Sequence, residues 1–75
     1  YLINDYEKAE KFLKRAVELM PEDPTVNDHY GNILWKLDRK IQARYFWKSV
    51  LNLEEADEEI KKKIHDKLTN GIKNS

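Results

Sequence analysis

The chain has 75 residues, with 14 Lys and Arg balanced by 14 Asp and Glu, 40% hydrophobic side chains and no cysteine. Zero net charge removes the bulk electrostatic case for a nucleic-acid or anionic-membrane binder, and this apolar content excludes a disordered tail. Without cysteine there is no disulfide framework and no thiolate metal site, so packing alone must hold a domain that buries only about 60% of its unfolded surface at this size.

The first predicted helix runs from Tyr6 to Met20, with Ala9, Phe12, Leu13, Ala16, Val17, Leu19 and Met20 as an amphipathic stripe. Asn4 and Asp5 are its cap candidates, and Pro21 stops it. Asp23 then caps a second helix, Pro24 to Leu37, whose first position is the proline that needs no N–H there. Its apolar side is Val26, Tyr30, Ile33, Leu34 and Leu37, and Gly31 interrupts it at about 1 kcal/mol relative to alanine. A glycine in that place predicts the close passage of another helix backbone. After Asp38-Arg39, a third helix spans Lys40 to Leu53, with Ile41, Ala43, Phe46, Trp47, Val50 and Leu51 expected to be buried. The fourth follows Asp57 and places Ile60, Ile64, Leu68 and Ile72 on one narrow stripe, with Gly71 as its terminator. The chain starts at Tyr1 without a methionine, which predicts an excerpt of a longer polypeptide.

Shifted against itself so that Ala9 falls on Ala43, the sequence brings like onto like. In the same frame Phe12 falls on Phe46, Lys14 on Lys48, Ala16 on Val50 and Leu19 on Leu53. Tyr1 falls on Trp35, Ile3 on Leu37, Val26 on Ile60, Tyr30 on Ile64, Leu34 on Leu68 and Asp23 on Asp57. One frame for so many pairs, with a period of about 34 residues, indicates an internal repeat of two helices per unit. Small residues at Gly31 and Ala43 mark where two helices cross closely, with Tyr30, Phe46 and Trp47 filling the space on either side.

On these residues the chain resembles the tetratricopeptide repeat (TPR) family. Gly31, Ala43, Trp47 and Val50 match the small, small, large and small places of one unit. Ala9, Leu13, Ala16 and Pro21 match the second half of the unit before it, and Tyr30 and Leu34 match large positions. Glu55 stands where the family has proline and His65 where it has glycine or alanine, so the last helix resembles a cap. The resemblance implies an all-α fold of antiparallel helix-turn-helix repeats, an α-solenoid fragment. Residues 1–23 would be the second half of a truncated unit, 24–57 a complete unit, and 58–75 a C-terminal capping helix and tail. The side of the Tyr6–Met20 helix left open by its missing partner would meet an upstream repeat, or a second copy of the chain as a homodimer.

The resemblance also implies a protein–protein interaction scaffold whose groove holds a peptide or protein partner. The groove-facing places fall on Thr25, Asp28, Asn32, Trp35 and Lys36. Asp28 takes a place where a clamp for a C-terminal carboxylate needs a basic residue, which argues against that ligand. Trp35 lies off the apolar stripe, so it is either an aromatic anchor in the groove or a packing residue against the capping helix or the Tyr1 tail. The other reading of the whole is a structural end-cap of a longer solenoid, or a self-association module, with no external ligand.

No catalytic, cofactor or metal constellation stands out. His29 and His65 lie on different helices with no clustered partner, and Asp28 projects about 100° away from its neighbour His29. Ser49 has no base at helical spacing, and Glu58 and Glu59 stand four residues before Lys62 and Lys63 as on a solvated helix face. Lys36, Lys40, Arg44 and Lys48 recur at every fourth position among Tyr45, Phe46 and Trp47. The expected reading of that stripe is a solvated outer face, ahead of an acidic partner and of nucleic acid.

Overall fold

A computed structural model describes residues 3–71 as four α-helices: α1 (Ile3–Leu19), α2 (Pro24–Lys36), α3 (Lys40–Leu51) and α4 (Glu58–Asn70). There is no strand among the described residues. Tyr1, Leu2 and Ile72 lie outside them.

The caps explain most of the boundaries. Asp23 accepts from the N–H of Val26 at 3.1 Å, and Asp57 accepts from that of Ile60 at 2.9 Å, so the two aspartates do the same work at the starts of α2 and α4. Pro24 follows as the first residue of α2. Asp38 takes a left-handed conformation, φ 63°, which a short acidic side chain tolerates, and it turns the chain from α2 into α3. At the end of α4, Gly71 has φ 70° and its N–H reaches the carbonyl of Lys67.

Three expectations need correcting. Asn4 and Asp5 do not cap α1, because the helix begins at Ile3 and takes both into its first turn. Nothing in residues 3–5 breaks a helix, and Asp5 there sits well with the helix dipole. The third helix ends at Leu51 rather than Leu53: Asn52 is its C-cap and gives its N–H to the carbonyls of Ser49 and Val50, tightening the last turn. Ile41 is 86% exposed and not buried. It stands two residues before the enclosed Ala43, and two residues on a helix is about 200°, the opposite side.

The core is a single cluster of Tyr30, Leu34, Ala43, Trp47, Val50, Ala56 and Ile64, with Leu13, Val17, Phe46, Leu51, Leu53, Ile60 and Leu68 packed around it. The widest contact is between α2 and α3. A Cβ built on Gly31 would lie 3.2 Å from the carbonyl oxygen of Ala43 and 2.5 Å from Nε1 of Trp47. Gly31 is therefore the close crossing that its place in the sequence predicts. Trp47, fully buried, fills the space that a side chain at Gly31 would take, and its Nε1 has no hydrogen-bond acceptor among the described residues.

Candidate interaction surfaces

The five groove candidates lie on α2, and α4 runs along the side that carries most of them. Lys67 of α4 donates to Oδ1 of Asp28 at 2.7 Å and to Oδ1 of Asn32 at 2.9 Å. Both side chains of the ion pair are largely covered, at 20% exposure for Lys67 and 12% for Asp28. The ammonium group is also 5.7 Å from the centre of the Trp47 ring. A buried carboxylate needs such a partner, because removing it from water unpaired would cost several kcal/mol.

Trp35 is half-buried rather than free. Its ring stacks on Trp47 at 5.4 Å between centroids, covers Gly71 so closely that a Cβ there would lie 2.7 Å away, and carries Lys40 at 5.0 Å. It thus packs against the end of α4. Lys36 is half-buried and Thr25 is exposed. Thr25, Asp28 and His29 form one wall of a shallow cleft whose other wall is Asp57, Glu59, Ile60 and Lys63. Lys40, Arg44 and Lys48 are exposed, as a solvated face of α3 requires. His29 and His65 are both exposed, and among the described residues no three His, Asp or Glu side chains converge as a metal site would need.

The second surface is on α1. Phe12 is 75% exposed, Leu19 69% and Met20 47%. At about 100° per residue these three, with the half-buried Ala9 and Ala16 and the exposed Asp5, fall within one arc of about 100°. The neighbouring arc, Leu13 and Val17, packs against the core. Glu10 lies on that covered side and accepts a hydrogen bond from the Tyr30 hydroxyl at 3.0 Å. Burial first, and then the bond to Glu10, push the Tyr30 pKa up to about 12.

Sequence reasoning passed over Lys67 and Glu10, the two polar residues that tie the helices together. Each stands on an apolar stripe: Lys67 is three residues after Ile64 and seven after Ile60, and Glu10 is three before Leu13 and seven before Val17. A charge in that register is the legible signal of a buried polar contact. The chain matches no family model, no curated protein and no solved structure.

Proposed function

We propose that the chain is a TPR-type helical-repeat module and works as a protein–protein interaction scaffold, closed on one side by α4 and open on the other at α1. In this reading α2 and α3 form the complete antiparallel unit, α1 is the second half of another, and α4 is the cap. The carrying observation is the burial contrast between equivalent positions of the two units. Ala43, Trp47 and Val50 are fully buried, while their counterparts Ala9, Leu13 and Ala16 are half-covered. Phe46 and Leu53 are half-buried, while Phe12 and Leu19 are largely bare. Side chains of one pattern are enclosed by two helices around α3 and by one beside α1, and an apolar arc of that kind marks a place where protein binds.

A peptide groove on Thr25, Asp28, Asn32, Trp35 and Lys36 is the second reading. Its specific support is the solvent-open cleft at Thr25, Asp28 and His29. It ranks second because Lys67 and Gly71 already occupy Asp28, Asn32 and Trp35.

Fusing a copy of residues 24–39 directly ahead of Tyr6 tests the repeat. The copy brings its own Asp38-Arg39 turn and would lie on α1 as α2 lies on α3. Urea unfolding is expected to give a higher midpoint and a steeper denaturant dependence, because more surface is buried. An unchanged midpoint and slope would sink the reading.

A further inference from the structure

The open side of α1 has an edge as well as an apolar arc. Lys8, Lys11 and Arg15 are all exposed and lie side by side along the border of the arc away from α2, at about 70–130° from its middle. Their counterparts in the next unit are Gln42, Tyr45 and Ser49, none of them charged. Helix α3 therefore receives α2 without charge on this border, and the three basic residues of α1 are not a requirement of helix packing as such. Exposed Asp5, Glu7 and Glu18 stand three or four residues from them on the same helix, and the three basic residues line the border itself.

Resting on the scaffold reading above, we infer that α1 docks an amphipathic helix of a partner protein, one with a small residue in its apolar stripe and acidic side chains along the edge that meets Lys8, Lys11 and Arg15. The small residue follows from Ala9, which stands in the place where Ala43 meets Gly31. The acidic edge follows from charge complementarity, which sets orientation and partner choice more than raw affinity.

Two other occupants fit less well. A second copy laying its α1 antiparallel on this one about a two-fold axis would set the same border of each helix side by side. The Lys8, Lys11 and Arg15 borders would then face each other, like charge against like. A helix attached directly ahead of α1 would need a turn where Asp38 and Arg39 stand in the other unit. The counterparts there, Asn4 and Asp5, are helical.

The test uses two fluorescent synthetic peptides that keep the apolar positions and the glycine of residues 24–37, one with Glu and the other with Lys at every outward position. Titrated with the full chain at low salt, the Glu peptide is expected to bind at least about tenfold more tightly, and added salt should erase most of the difference. The triple variant Lys8→Glu/Lys11→Glu/Arg15→Glu should reverse the preference. Phe12→Asp should abolish binding while leaving the circular dichroism and melting temperature unchanged, because Phe12 is exposed. Equal affinity for both peptides would overturn the acidic edge, and binding that survives Phe12→Asp would overturn the location. Sedimentation as a dimer that Phe12→Asp disperses would make the occupant a second copy. If neither peptide binds and the 24–39 fusion is nevertheless stabilised, docking in trans is wrong and the repeat reading stands. If the fusion also fails, both fall.

Discussion

Gly31 shows how one missing methyl group decides a packing arrangement. In an exposed helix, replacing glycine by alanine gains about 1 kcal/mol. Here the new Cβ would press on the Trp47 indole at 2.5 Å, and that ring is enclosed on all sides and has nowhere to go. Overpacking of this kind costs about 1–3 kcal/mol, which exceeds the propensity gain. Gly31→Ala should therefore lower stability by up to about 2 kcal/mol in denaturant unfolding, and a stabilised variant would show that the crossing is looser than described. Tyr30 carries a different kind of strain. Its proton is held to about pH 12 in the fold, against a value near 10 when unfolded. Between those limits the unfolded chain loses the proton first, so stability present below pH 10 must drain away as pH rises toward 12. Subtracting the pH–stability curve of Tyr30→Phe from that of the parent should isolate this decline, and a flat difference would mean that burial and the Glu10 bond do not raise the Tyr30 pKa.

Among the elements, α4 is the one whose attachment is most exposed to a single substitution. Its apolar stripe is narrow, with Ile64 fully buried and Ile60 and Leu68 partly so. The Lys67 junction supplies orientation by fixing α4 against Asp28 and Asn32 of α2. Lys67→Met leaves the Asp28 carboxylate covered and unpaired, and a loss of about 1–3 kcal/mol is expected from that penalty. Adding Asp28→Asn should recover part of it, so a double-mutant cycle reads the coupling directly. Strict additivity would mean that the ion pair contributes orientation without energy.

The helices themselves were the legible part: Asp23-Pro24, Asp57 and Gly71 are local signals, and the structure uses each of them. The errors came where local signals compete. Asn4 and Asp5 are good caps in isolation, yet the helix runs from Ile3 and includes both. Ile41 is apolar but sits at the wrong angle, and a list of hydrophobic residues does not encode angle until the register is fixed by Ala43 and Trp47.

At the scale of the whole molecule, the close meeting of Gly31 and Ala43 was legible because both residues are small and each lies inside a helix. The fate of the groove candidates was not. Asp28 and Asn32 look available on α2 alone, while packing against the last helix is one of the two places open to Trp35, and the course of α4 buries Asp28 and half-covers Asn32 and Trp35. Long-range cover of that sort leaves no mark in the covered residues. Its one trace is Lys67, a charge placed on an apolar stripe. The bare arc of α1 is the converse case, readable from the match of the sequence to itself, because the matched positions of α3 supply an internal standard of cover.

The stack of Trp35 on Trp47 lies where α2, α3 and the end of α4 converge. Two indoles at that spacing couple electronically, so the chain has a native optical gauge at its centre. Near-ultraviolet dichroism and tryptophan emission register loss of any of the three contacts at once, and no dye needs to be attached to follow the molecule opening.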